Sequence, residues 1–166
     1  MACDLRTQKL GYAVFEFPSG MQLVDWGTRR FYAGQRNKTA LADLLRLFHP
    51  SVLVLRELPA DSKRNTPRHA QLVRKIATEA RVAKTPIRWV SEQSLAQFFQ
   101  KSGVVTKQKM AANMAELFPD IAWKLPPPRK PWQPEHWQMP LFDAIALGFG
   151  YFALKMGPAD PDRTIN

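Results

Sequence analysis

The stretch at residues 51–58, SVLVLREL, constrains the fold most. It is a nearly continuous apolar run of strand length, without the alternation of a strand that has one wet face. Such a run is buried on both faces, as the central strand of a parallel or mixed sheet is. A central strand needs strands on either side of it and helices above and below, and the rest of the chain supplies them. Residues 1–6 (MACDLR) predict a short first strand, residues 11–17 (GYAVFEF) a second, and residues 22–26 a third, with Pro18-Ser19-Gly20 as the turn between the last two. Thr39 predicts the cap of a helix over 40–49, with Leu41, Leu44, Leu45 and Phe48 on one face and Pro50 ending it. Thr66 followed by Pro67 opens a helix reaching about Lys84. Residues 87–90 predict a fifth strand, Thr106 caps a helix over 107–118, and Pro140 starts a last helix that is apolar nearly all round and therefore buried.

The predicted order is β-β-β-α-β-α-β-α-α. Three meandering strands followed by β–α crossovers imply an α/β domain with a five-stranded mixed sheet and helices on both faces. One domain over residues 1–155 and a frayed tail over 156–166 account for the length. Residues 119–138 predict a loop. Within residues 125–137, seven side chains are Pro or Trp, which makes the segment stiff. Trp123, Trp132 and Trp137 could stack bases as single-strand binders do; with five prolines beside them, the favoured reading is that they pin the loop onto the body.

Charge narrows the partner. Lys and Arg number 24 against 14 Asp and Glu, a net +10. Residues 61–130 carry 14 basic and 5 acidic side chains, a surplus of 9, so the charge is concentrated in the middle of the chain. That distribution predicts a polyanion, because Lys and Arg release counterions from phosphate. The basic helix over 67–84 presents Arg74, Lys75 and Arg81, and the helix opened by Thr106 presents Lys107 and Lys109, as the nucleic-acid contacts. Cys3 is the only cysteine, the N-terminal residues have no apolar signal core, and the apolar stretch over 141–154 is interrupted by Asp143 and too short to span a membrane. The expectation is a cytoplasmic protein with no membrane partner. The histidines lack zinc spacing, and there is no phosphate-binding glycine loop.

Three acids stand where an acid is costly. Asp4 lies in the first strand, a context in which Asp is depleted. Glu57 ends the buried run, at the carboxyl end of a central strand where open α/β sheets place ligands. Asp143 sits in an otherwise apolar helix. A lone buried carboxylate costs several kcal/mol or protonates, and a divalent metal removes that cost. Each acid also has a local alternative: a turn at Asp4, pairing of Glu57 with Arg56 or Lys63, a favourable helix N-terminus at Asp143.

The stretch from Asp4 to Gly11-Tyr12 resembles the first motif of RuvC-type Holliday-junction resolvases, in which an Asp on the first strand precedes a Gly-Tyr pair at this separation. Residues 51–57 are similar to that family's fourth strand, which ends in a catalytic Glu. Leu141-Phe142-Asp143-Ala144-Ile145-Ala146-Leu147 resembles its final helix, and residues 106–109 its lysine-bearing segment. The resemblance implies an RNase H-like fold, Mg²⁺ or Mn²⁺ as cofactor, a homodimer, and hydrolysis of phosphodiester bonds in branched DNA. It maps Asp4, Glu57 and Asp143 to metal ligands and Lys107 or Lys109 to a lysine near the scissile phosphate, with Lys109 counted among the catalytic residues. Leu5-Arg6 stand where the family has Pro-Gly. Pro140 stands where it often has a fourth acid or a His, a place that Glu135 or His136 could fill from the loop. No aromatic occurs between Leu58 and Arg88, where the family has a wedge. Two other readings follow from these departures: an RNA-processing nuclease of the same superfamily, and a nucleic-acid-binding module that has lost catalysis.

Overall fold

In a computed structural model, residues 1–17, 20–30, 40–130 and 132–156 are described. Thr39, Ser19 and the tail over 157–166 lie outside them. Five strands, β1 (Ala2–Leu5), β2 (Lys9–Glu16), β3 (Gln22–Arg30), β4 (Leu53–Glu57) and β5 (Ile87–Ser91), form one sheet in the order β3-β2-β1-β4-β5. The β1–β2 and β2–β3 pairs are antiparallel; β1–β4 and β4–β5 are parallel. The run at 51–58 is thus the strand that joins the meander to the crossover half, with parallel neighbours on both sides.

The period of two along β1 and β4 divides the core into two layers. Cys3, Leu5, Leu53 and Leu55 pack on the layer holding α1 (Ala40–Phe48) and α2 (Pro67–Val82). Ala2 and Val54 pack on the layer holding α3 (Glu92–Lys101), α4 (Lys107–Leu117) and α5 (Met139–Met156). The helices on both faces agree with the sequence expectation, and a short 3₁₀ segment, Pro119–Lys124, opens the predicted loop.

Three elements differ from the sequence expectation. Strand β3 runs on to Arg30, because β2 pairs with it from Lys9 onward. Helix α3 was not expected. Ser91 caps it by accepting a hydrogen bond from the Ser94 N–H at 3.0 Å, and Leu95, Phe98 and Phe99 give it the i, i+3, i+4 face that packs on α5. Helix α2 stops two residues before the expected Lys84, which adopts a left-handed φ of 56°.

Helix α5 crosses β2 and β1 closely, and Gly11 permits it. A Cβ at position 11 would lie 1.8 Å from the Pro140 carbonyl oxygen. Gly11 is also the cross-strand partner of Asp4. The missing side chain on β2 therefore lets the first turn of α5 settle directly over the acid on β1, and brings Asp143 within reach of it.

Candidate functional site

Asp4 and Asp143 meet at this junction, and both are essentially inaccessible to solvent, at 0% and 1% exposure. What joins them is arginine. Arg6 donates from Nε to Asp4 Oδ2 at 2.6 Å, donates from Nη2 to Asp143 Oδ2, and pairs through Nη1 with Glu135 Oε2 at 3.1 Å. Arg64, from the loop between β4 and α2, donates to Asp4 Oδ1 at 3.1 Å and to the Leu5 carbonyl at 2.9 Å. Lys107, the first residue of α4, lies 3.3 Å from Asp143 and 2.8 Å from Glu135. Arg56 stands between the two carboxylates, 3.8 Å from Asp4 and 3.7 Å from Asp143, and its outer nitrogen lies 3.6 Å from Glu92 at the rim. Its buried Nε has no hydrogen-bond partner among the described residues.

Glu57 does not join this group. The β1–β4 register pairs Ala2 with Val54 and Cys3 with Leu55, so the next step sets Arg56 beside Asp4. Alternation then places Glu57 with Leu53 and Leu55 on the other face, exposed at the strand end. The site-facing residue at the end of the central strand is a cation where the resemblance implied an acid. Lys107 is the lysine that touches the carboxylates. Lys109, two residues on and so on the far side of the helix, is exposed, and its backbone N–H is held by the Thr106 hydroxyl. Glu135 reaches the centre from the loop. His136 does not: its Nδ1 accepts from the Gln138 N–H, and its ring lies against Trp137. Arg74 and Arg81 are exposed and Lys75 half-buried on α2, in the layer opposite α5.

The electrostatics follow from burial opposed by these pairings. Burial pushes the Asp4 carboxyl up, but the charges of Arg56, Arg6 and Arg64 together hold it below the ordinary carboxylate value. Asp143 is held above it, by burial first and then by the neighbouring Asp4 charge, against Arg56, Lys107 and Arg6. Burial also opposes ionisation of Glu135, yet the hydrogen bond and charge of Lys107, with Arg6, lower its pKa.

The donor set does not suit a divalent cation as it is arranged. Mg²⁺ and Mn²⁺ need converging oxygen anions with an excess of negative charge. Here Arg6, Arg56, Arg64 and Lys107 face Asp4, Asp143, Glu135 and the rim acid Glu92, so positive and negative charges balance. Guanidinium groups stand between the two carboxylates, where a bridging ion would need to be. Among the described residues no cluster of three His, Cys, Asp or Glu is placed to hold a metal ion. Arg6 and Arg56 are the functional residues that sequence reasoning missed. The signal for Arg6 was its place two residues after Asp4, just past the end of β1, in the position where the resolvases have a small residue.

No family model matches the chain, and no curated protein sequence matches it. Among solved structures, the chain is similar to Thermus thermophilus RuvC in complex with a Holliday-junction substrate, at TM-score 0.63 and 16% identity, covering 93% of each chain. It is similar to another structure of Thermus thermophilus RuvC at TM-score 0.63 and 15% identity, covering 93% of this chain and 94% of that one. A Fowlpox virus resolvase bound to Holliday-junction DNA aligns at TM-score 0.48 and 16% identity, over 91% of this chain and 97% of that one. The two RuvC matches show that the chain has the RuvC-type, RNase H-like fold.

Proposed function

We propose that this protein binds branched or locally unpaired nucleic acid through the basic surface of a RuvC-type fold, with an arginine-bridged carboxylate pair in place of a metal centre. The observation that carries the reading is Arg6, which pairs with both buried carboxylates at once. The net charge of +10 and the fold shared with Holliday-junction-bound RuvC support a polyanionic, branched partner. The centre's own role is to fix the ends of β1, β4 and α5 and the loop carrying Glu135, so that the basic segments around them keep one shape. Arg6, Arg64 and Lys107 hydrogen-bond the buried carboxylates, and such bonds in a low-dielectric interior rigidify the structure around them.

The test is binding and cleavage of a four-way junction, a plain duplex and a structured RNA, side by side, in Mg²⁺, Mn²⁺ or EDTA. Binding is expected in all three conditions, without metal-dependent cleavage and without a rise in melting temperature on adding either ion. Cleavage in Mg²⁺ or Mn²⁺ that is lost in Asp4→Asn and in Asp143→Asn would overturn it. That outcome would establish the second reading, a metal-dependent endonuclease of crossover-junction type. The convergence of Asp4 and Asp143 with Lys107 favours that reading. Light scattering on the same samples checks the homodimer that the resemblance implies. No described helix is long and apolar enough to cross a membrane.

Helix α2 offers a track for the backbone. From its first turn to Arg81 it extends roughly 20 Å, about six steps of duplex, and Arg64 just before it already reaches the centre. Replacing Arg74, Lys75 and Arg81 together with alanine is expected to weaken binding across sequences. It should flatten the dependence of log affinity on log salt by about 2–3, since each lost phosphate contact removes about 0.9. An unchanged slope would place the binding face elsewhere.

A further inference from the structure

The loop after α4 carries three tryptophans that face solvent. Trp123 and Trp132 are each 76% exposed and Trp137 is 55% exposed. The sequence expectation was that these rings pin the loop to the body, and the structure assigns that task to other groups. Pro126 and Met139 are buried, the Gln108 side-chain amide donates to the Pro126 carbonyl at 2.7 Å, and Glu135 is tied to Arg6 and Lys107. Between these anchors Lys130 and Gln133 close a turn: the Gln133 N–H donates to the Lys130 carbonyl at 3.0 Å, and the Lys130 N–H donates to Gln133 Oε1 at 2.8 Å. That turn displays Trp132. The loop is thus held at both ends while its largest apolar side chains point outward. Tryptophan is highly buried on average, so three exposed rings on one short segment require a partner to cover them.

The neighbours of these rings say what that partner is. Lys124 Nζ lies 4.8 Å from the centre of the Trp123 ring, and Lys130 Nζ lies 5.4 Å from that of Trp132. Two indole rings that each carry an ammonium group over one face match a ligand that offers flat rings and anions in alternation, stacking on the opposite face while its phosphates pair with the lysines. Unpaired nucleotides are such a ligand, because every base has a π face and every link a phosphate. An apolar protein surface would have to desolvate the lysines without pairing them. We propose that Trp123, Trp132 and Trp137 form a stacking platform for unpaired nucleobases, on the segment that also carries Glu135 to the centre. This rests on the nucleic-acid-binding reading and assigns the recognition of its unpaired strand to these three rings.

The experiment uses the full chain and the Trp123→Ala/Trp132→Ala/Trp137→Ala variant, with oligo-dT, a blunt duplex and heparin as probes. Because the rings are exposed, the variant is expected to melt at the wild-type temperature. Oligo-dT should quench wild-type tryptophan emission, and its affinity should fall about tenfold or more per ring removed. Heparin, which has charge but no bases, and the duplex should bind both proteins within about threefold. The triple Phe variant, which keeps a π face, should recover most of the oligo-dT affinity. Equal oligo-dT binding by wild type and the Ala variant would overturn the platform while leaving nucleic-acid binding in place. Loss of heparin binding in parallel would overturn it by showing that the loop acts through charge. A wild-type self-association that disappears in the Ala variant, with oligo-dT affinity unchanged, would overturn it in favour of a protein contact. A wild type that binds none of the three probes would remove both readings.

Discussion

Arg6→Ala is expected to destabilise the protein by about 3–5 kcal/mol, the cost of leaving a buried charge without its partner. The substitution removes the guanidinium that lies on both Asp4 and Asp143 and leaves them with Arg56 at 3.7–3.8 Å, too long for a hydrogen bond, with Arg64 on Asp4 and with Lys107 on Asp143. The measurement is urea denaturation, in which the midpoint should fall with little change in slope. The deficit also has a pH signature. Burial and the Asp4 charge already raise the Asp143 pKa, against the arginines and lysine, and removing Arg6 raises it further. An acid whose folded-state pKa lies above its unfolded value binds more protons when folded, so its contribution to stability falls as pH rises between the two values. The variant's deficit should therefore grow as pH rises through the raised Asp143 pKa. Adding Asp143→Asn should recover part of the loss, with a coupling energy of about 1 kcal/mol or more between the two sites. A loss below about 1 kcal/mol, unchanged by pH, would mean that the pairing contributes nothing to stability. The same variant tests the metal question from the other side. If the guanidinium is what bars a divalent ion, Mn²⁺ should raise the melting temperature of Arg6→Ala but not of wild type.

Local signals carried the fold and half of the site. The apolar run ending at Leu58, the Thr66-Pro67 and Thr106 helix starts and the all-apolar last helix are each written within a few residues, and the sheet that assembles from them follows connection rules. Asp4 and Asp143 were legible because an acid inside an apolar strand or helix is conspicuous, and both prove buried. The facing of Arg56 and Glu57 was not legible. A strand buried on both sides has no alternation, so nothing local tells which of two adjacent charged residues turns toward the site. The pairing of Ala2 with Val54 and Cys3 with Leu55 decides it, across about fifty residues of chain. The fate of Arg6 depends on the same long-range assembly, since its partners come from β1, α5 and the loop at Glu135. Composition alone marked the tryptophans; whether a ring packs inward or outward depends on which other groups hold the loop.

Gly11→Ala tests whether the close seat of α5 on β2 is what assembles the centre. The added methyl would meet backbone atoms, at 1.8 Å from the Pro140 oxygen, 2.2 Å from its carbonyl carbon and 2.8 Å from the Leu141 nitrogen. No rotamer change relieves such contacts, so the first turn of α5 must move outward by an ångström or more. Overpacking typically costs about 1–3 kcal/mol, and a backbone collision of this depth should fall at or beyond the upper end. The movement lifts Asp143, four residues into the helix, away from Arg6, and the loss of that ion pair adds to the strain. The two effects separate in a double-mutant cycle. If the clash breaks the pairing of Arg6 with Asp143, then Arg6→Ala should cost less in the Gly11→Ala background than in wild type, by about 1 kcal/mol or more. Strict additivity would show that Asp143 keeps its partner while α5 shifts as a whole. A Gly11→Ala protein as stable as wild type would mean that α5 does not pack on β2 at this distance, and with that the burial of Asp143 beside Asp4 would lose its structural basis.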